Sequence, residues 1–137
     1  MSDWLDVTQE RIDQFANATE DRQWIHVDPE RAARELPGKT TLAHGFLTLS
    51  LVSALARRAM SFSSVTMAIN YGVNRVRFVS PVPAGVRVRG HFIPLAAKDV
   101  DGGVQVTWKV VVEREGSDNP CCVAEWLVRY HERATAS

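Results

Sequence analysis

A carboxylate and an imidazole lie five residues apart near the amino terminus of the chain, at Asp21 and His26. Such a pair can hold one water molecule, because one group accepts a proton while the other orients the water or protonates a substrate. Spacing alone is weak evidence: an Asp in a connecting segment is usually a cap, and a lone His is usually a surface or core residue. The choice between these interpretations depends on the neighbouring segments.

A second candidate is the glycine in TTLAHGF, residues 40–46, which leads into an apolar helix predicted from His44 to about Met60. The first amides of a helix have no internal partners and lie at the positive end of its dipole. Because Gly45 has no side chain, a ligand can approach its N–H closely, and that N–H can stabilise an oxyanion. The alternative is that Gly45 only permits tight packing of the helix on a strand. Similarly, His44 either contacts a substrate or caps the helix.

Two short helices are predicted on either side of the carboxylate–imidazole pair. Thr8 is a suitable N-cap for a helix that ends at about Ala18. Asp28 followed by Pro29 predicts the start of the next helix, since proline is favoured at the first helical position. The pair therefore lies in the connection between two helices.

From Ser64 onward the apolar residues recur with a period of two, which predicts four strands. The phase of the first strand slips near Asn74 and Arg75, and this indicates a β-bulge. Residues 101–103, Asp-Gly-Gly, predict a hairpin. The apolar residues that share one face of the first strand are Val65, Met67, Ile69, Tyr71 and Val73.

A helix that is apolar on nearly every side must be covered on most sides. An antiparallel meander can cover it by curling around it. The predicted fold is therefore α+β: a single hot-dog domain over residues 1–137, with a curved antiparallel sheet wrapped around a central apolar helix at about 44–60. The alternative is a ferredoxin-like or cystatin-like α+β sheet.

Composition argues against several classes of function. Sixteen Lys and Arg residues balance sixteen Asp and Glu residues, whereas a nucleic-acid binder normally carries a clustered basic excess. No apolar stretch reaches the ~18 residues of a membrane span, and the first residues are acidic where a signal peptide is basic and then apolar. We therefore expect a cytoplasmic protein. The four histidines lack HxH or HExxH spacing, so no metal is expected.

Three segments resemble the MaoC-like, R-specific enoyl-CoA hydratases. The segments FANATEDRQWIHVDPERA (15–32) and TTLAHGFLTLSL (40–51) resemble the two signature regions of that family. The QWIH form and the segment INYGVNRVRFVSPVPAG (69–85) are most similar to its nodulation-protein-N-like branch. The resemblance covers nearly the whole chain.

This resemblance implies a reaction and a site. Family members hydrate a trans-2-enoyl thioester to the R-3-hydroxyacyl thioester and work as dimers or pseudo-dimers. Carried over, the catalytic pair falls on Asp21 and His26, and the oxyanion amide falls on Gly45, with His44 beside it. We therefore expect a homodimeric hydratase that acts on an acyl-CoA thioester, with CoA as the carrier of the substrate and no metal or redox cofactor.

The chain departs from the family pattern at two places. Glu20 stands where these hydratases usually have Gly, and Gln23-Trp24 replaces the usual Asn-Pro, which is normal only in the QWIH subgroup. Glu20 removes a permissive backbone position and adds a carboxylate beside Asp21. We expect Glu20 to point outward, because burying one unpaired carboxylate beside another has a large desolvation cost.

Two other functions stay open. A hot-dog acyl-CoA thioesterase would typically need a carboxylate on or beside the central helix, where this chain offers only His44, Ser50 and Ser53. A non-catalytic acyl-thioester-binding subunit is the other possibility, and Glu20 is the residue that keeps it open.

Overall fold

The computed structural model describes residues 1–132, and residues 133–137 of the expected domain lie outside this range. The elements are β1 (Leu5–Asp6), α1 (Gln9–Thr19), α2 (Trp24–Val27), α3 (Pro29–Glu35), α4 (Gly45–Ser50), α5 (Val52–Ala59), β2 (Val65–Arg77), β3 (Arg87–Val100), β4 (Gly103–Arg114) and β5 (Pro120–Glu132).

Both predicted helix starts are confirmed. The Thr8 hydroxyl accepts a hydrogen bond from the Arg11 N–H at 3.1 Å, and the Asp28 carboxylate accepts one from the Arg31 N–H at 3.0 Å. These caps fix where α1 and α3 begin, because each satisfies a backbone donor of a first turn.

The connection between α1 and α3 differs from the expectation in one respect. It contains the four-residue helix α2, which carries His26. A helix of one turn is too short to show a hydrophobic period, so the pattern could not reveal it.

The predicted central helix is formed by α4 and α5, which are separated only by Leu51. Leu51 keeps right-handed helical angles, and its N–H and C=O bond to Leu47 and Leu55 at 3.0 and 2.9 Å. The path therefore stays helical from Gly45 to Ala59. No helix within residues 1–132 is long and apolar enough to span a bilayer.

The sheet is antiparallel throughout, with strand order β1-β3-β4-β5-β2, and it curls around the central helix. The hot-dog prediction is confirmed, and the four predicted strands correspond to β2–β5. The two-residue β1 was missed, because a strand of that length has no visible alternation. The core includes Leu47, Val52 and Leu55 of the central helix, packed against strand residues such as Val110 and Val128.

The expected cover around the central helix is incomplete at Phe46, which is 68% exposed. Its ring packs edge-on against the ring of Phe78, which is also exposed, rather than in the core. The helix was expected to be covered on most sides, and Phe46 lies on the side that stays open.

Strand β2 lies at one edge of the sheet. Arg75 has φ +52° and the register shifts between Asn74 and Arg77, which confirms the predicted bulge. Further shifts between Val65 and Met67 and between Asn70 and Gly72 break the predicted common face, because Val73 pairs with the buried Trp126 whereas Ile69 pairs with Arg129. Four of the apolar side chains predicted for that face do not join the core, and each is 43–55% exposed: Met67, Ile69, Tyr71 and Val73.

Candidate active site

The fold brings together Asp21, His26 and His44. Each can offer one ligand atom that lies within 4.8 Å of those of the other two. Asp21, from the connection after α1, is exposed, whereas both imidazoles are buried, His26 at 8% and His44 at 2% exposure. The site is therefore a carboxylate at the surface above two shielded rings.

The tautomer of His26 follows from its environment. Nδ1 of His26 lies 2.6 Å from the carbonyl oxygen of Leu42, which can only accept, so Nδ1 carries the hydrogen. The Leu42 N–H donates in turn to the Ile25 carbonyl at 2.9 Å. These two bonds tie α2 to the segment before the central helix and leave Nε2 of His26 with a free lone pair.

Burial lowers the pKa of His26 below its ordinary value of 6.5. The hydrogen bond to the Leu42 carbonyl and the nearby Asp21 act in the opposite direction, and the neighbouring His44 adds to the lowering. His26 is therefore neutral at neutral pH, in the state in which Nε2 can accept a proton.

His44 stands at the N-cap position of α4, but its side chain makes no capping hydrogen bond, so the capping interpretation is wrong. Nε2 of His44 instead donates to the backbone carbonyl of Asp21 at 2.9 Å. The ring stacks on His26 with 3.7 Å between centroids and an interplanar angle of 21°, and Phe15 packs on it at 4.9 Å. Substrate contact by His44 stays a prediction.

Glu20 ends α1 in the left-handed region, with φ 64° and ψ 16°. Glycine adopts this conformation without strain, whereas a residue with a Cβ is strained in it. This explains why a glycine suits this position. The Glu20 side chain is exposed, in agreement with the outward orientation expected from the sequence.

Gly45 has a close neighbour on its α-carbon. A Cβ built there would lie 2.9–3.0 Å from three ring carbons of Phe78, so the packing role of this glycine is real. Within residues 1–132 the Gly45 N–H has no hydrogen-bond partner, so an oxyanion role stays a prediction. A cavity of about 280 Å³ borders Gly45, Thr48 and Phe78.

The cluster of Asp21, His26 and His44 contains the types of side chain that bind metals, although the spacing of the histidines did not suggest it. An imidazole binds an ion along the lone pair in its ring plane. The two rings are stacked rather than turned toward a common point, and this arrangement does not favour one ion bound by both in their planes. The expectation of a metal-free site stays a prediction.

Two residues of the site were not found from the sequence. Gln9 donates to the backbone carbonyl of His26 at 2.8 Å and accepts from the Thr41 hydroxyl, so it connects α1 to both other segments. Phe78 forms the wall over Gly45. Neither residue carries a local signal, since both act on segments that are distant in the chain.

The family model described as "MaoC like domain" matches residues 1–116. The chain belongs to the MaoC-like family. At this family level the protein is a hydratase or dehydratase.

Two relatives of this MaoC-like protein support its branch. The 3-hydroxyacyl-thioester dehydratase Z of Mycobacterium tuberculosis is 52% identical over 130 residues, which cover 94% of this chain and 85% of the relative. Nodulation protein N of Rhizobium leguminosarum bv. viciae is 48% identical over 128 residues, 92% of this chain and 80% of the relative. The resemblance to the nodulation-protein-N-like branch is confirmed.

Solved structures support the fold of the MaoC-like chain. The unliganded R-hydratase of Pseudomonas aeruginosa has a TM-score of 0.74 at 21% identity, covering all of this chain and 85% of that one. A 3R-hydroxyacyl-ACP dehydratase complex of Mycobacterium tuberculosis has a TM-score of 0.66 at 18% identity, covering 92% and 90%. At such identities the likeness establishes the hot-dog fold alone.

Proposed function

We propose that this protein hydrates a trans-2-enoyl-CoA to an R-3-hydroxyacyl-CoA and catalyses the reverse dehydration at the same site. The meeting of Asp21 with His26 carries the proposal. The bond from Nδ1 of His26 to the Leu42 carbonyl leaves Nε2 as an acceptor, and a ring nitrogen of His26 lies within 4.8 Å of a carboxylate oxygen of Asp21. Two acceptors can hold one water by its two hydrogens, which leaves an oxygen lone pair free to attack.

In this mechanism the water oxygen bonds to carbon 3, and the electron pair of the double bond moves toward the thioester carbonyl. Negative charge then builds on the thioester oxygen, where the Gly45 N–H stabilises it. The Asp21–His26 pair takes up the proton that the water loses and delivers it to carbon 2 as the enolate collapses. The addition balances without a cofactor, and CoA serves only as the carrier.

We assign the acyl chain to the side of the central helix that faces β2 and β5. Two cavities of about 370 and 400 Å³ follow this side beyond Gly45, and both are bordered by Ser53, Asn70 and Trp126. Apolar side chains, among them Ala56 and Val128, line the second cavity. Such walls suit a hydrocarbon chain, since each buried methylene contributes about 0.8 kcal/mol.

For the assembly we propose a two-fold homodimer through β2. This strand is an edge of the sheet, and unpaired edges are normally covered. Its outer face also exposes the three apolar side chains of Met67, Ile69 and Tyr71. A second copy of the chain presents the same face and can cover it by two-fold symmetry.

The proposed activity is tested with crotonyl-CoA and purified protein. We expect loss of the enoyl-thioester absorbance and formation of R-3-hydroxybutyryl-CoA, with the S enantiomer absent. Release of free CoA thiol without loss of the double bond would indicate a thioesterase instead. Binding of crotonyl-CoA without turnover, together with no turnover of the acyl-carrier-protein thioester, would indicate a non-catalytic subunit.

A further inference from the structure

His44 is a buried polar residue that the proposed mechanism does not use. It is 2% exposed, and its Nδ1 has no hydrogen-bond partner within residues 1–132. An unpartnered buried nitrogen is a cost to stability, so burial alone does not explain a histidine at this position. Two of its contacts are with Asp21 and His26, the pair assigned to the water.

We propose that His44 is a positioning residue for the hydration reaction: its Nε2–H holds the backbone at Asp21, and its ring face holds the ring of His26. This inference rests on the proposed function, because it assigns the roles of the two residues that His44 contacts. His44 would act through them and would not need to touch the reacting atoms.

The first contact controls the position of the carboxylate. Asp21 is exposed and follows Glu20, which is held in a left-handed conformation. The one hydrogen bond from Asp21 to the buried part of the site is the one that its carbonyl accepts from Nε2 of His44 at 2.9 Å, within residues 1–132. Without this bond, the carboxylate would depend on an exposed connection for its position, and a displacement of about 1 Å in such a group can cost roughly 10²-fold in rate.

The second contact controls the other half of the pair. Nδ1 of His26 is held in the ring plane by the Leu42 carbonyl, which still allows the ring to tilt about that bond. The ring of His44 stacks on the ring of His26 at 3.7 Å and limits this tilt. Phe15 packs against the ring of His44 and supports it. Nε2 of His26 is therefore held in a constant direction.

The stacked ring of His44 also affects the pKa of His26. The titratable groups that face His44 are His26 from α2 and Asp21 from the connection, and α4 carries no charged side chain. On α1, Phe15 faces the ring, and Asp13 is connected to the site only through Gln9. The neighbouring ring of His44 contributes to the lowered pKa of His26.

Two substitutions separate the two contacts. His44→Phe keeps an aromatic face against His26 and removes the N–H donor to Asp21. His44→Gln keeps a donor of similar reach and removes the aromatic face. We expect His44→Phe to lower kcat on crotonyl-CoA by about 10- to 100-fold with KM changed by less than about threefold. His44→Gln should regain part of this loss.

The pH profile distinguishes positioning from simple support of the fold. His44 lowers the pKa of His26, so both substitutions should raise it and move the acidic limb of the kcat profile to higher pH. The matched controls are His91→Phe and His91→Gln, since His91 lies on β3 in a surface pair with Glu113. Both controls should leave kcat and the acidic limb unchanged.

Different results would contradict the proposed function and the positioning role of His44. If the wild type neither hydrates enoyl thioesters nor dehydrates 3-hydroxyacyl thioesters, the proposed function is wrong. If the wild type is active and both His44 variants keep kcat within twofold with an unmoved acidic limb, the positioning role is wrong. It is also wrong if their losses of activity only follow a lowered Tm, with an unmoved limb in the fraction that stays folded.

Discussion

The ring of Phe78 lies directly against the α-carbon of Gly45, so close that a Cβ there would come within 2.9 Å of it. The first residue of the central helix and the segment after β2 are thus packed together at the point where an oxyanion amide is proposed. This contact makes it possible to separate the steric role of Gly45 from its proposed role toward a ligand.

We expect Gly45→Ala to lower the free energy of unfolding by about 1–3 kcal/mol, because overpacking forces neighbouring groups to shift. Phe78→Val should restore most of that loss in the double variant. Gly38→Ala is the control, since a Cβ at Gly38 meets nothing within 4 Å. Urea unfolding and kcat should be measured on all variants. Restored stability with kcat still low would support close approach of a ligand to Gly45, whereas full recovery of both would leave packing as its one role.

The catalytic pair should behave as a unit. Asp21→Asn and His26→Ala should each lower the hydration rate by at least ~10²-fold, and the double variant should be little worse than either single one. Asp118→Asn, in the turn before β5, serves as the control for the loss of a surface carboxylate. Near-normal activity of either single variant of the pair would exclude this assignment.

Glu20→Gly should stabilise the protein by about 0.5–1 kcal/mol, because Glu20 occupies a left-handed conformation. The acidic limb of the pH–rate profile should stay in place, and the rate should change only modestly, since the carboxylate is exposed. Glu20→Ala is the matched control, because it removes the charge but keeps a Cβ. A downward shift of the limb in both variants, or a gain in rate of ~10-fold (about 1.4 kcal/mol), would instead indicate that the charge of Glu20 inhibits the site.

The lowered pKa of His26 predicts how stability depends on pH. Well above pH 6.5 the ring is neutral in both the folded and the unfolded chain. As the pH falls below 6.5, the unfolded chain takes up a proton that the folded site resists, so stability is lost toward acid. Urea unfolding at pH 7.5 and 5.5 should therefore show a smaller loss for His26→Gln than for the wild type. An equal or larger loss in the variant would contradict the burial of a neutral ring.

The homodimer prediction is checked by light scattering of the purified protein at micromolar concentration. A dimer is expected, and Ile69→Lys on the outer face of β2 should dissociate it, because the charge would be desolvated in the interface. Leu95→Lys is the control, because Leu95 is similarly exposed but lies on β3, which is separated from β2 by β4 and β5. An active wild-type monomer, or dissociation by Leu95→Lys alone, would overturn the β2 interface.

Much of the fold could be predicted from short-range signals. The caps at Thr8 and Asp28, the apolar helix after His44 and the Asp-Gly-Gly hairpin all act between residues within a few positions of each other. Residues that are close in sequence remain close in any fold, so their types alone indicate these elements. The same is true of Asp21 and His26, whose spacing and surroundings marked them as candidates.

Only the tertiary structure determined which contacts these candidate residues make. The Leu42 carbonyl selects the tautomer of His26, the ring of His44 stacks on it, and the ring of Phe78 explains the glycine at Gly45. Register shifts also divided the alternating apolar residues of β2 between two faces, although their period of two was visible in the sequence. Each of these contacts joins segments that are far apart in the chain. Whether such segments meet depends on how the whole sheet curls around the central helix, and no local pattern of residues contains that information.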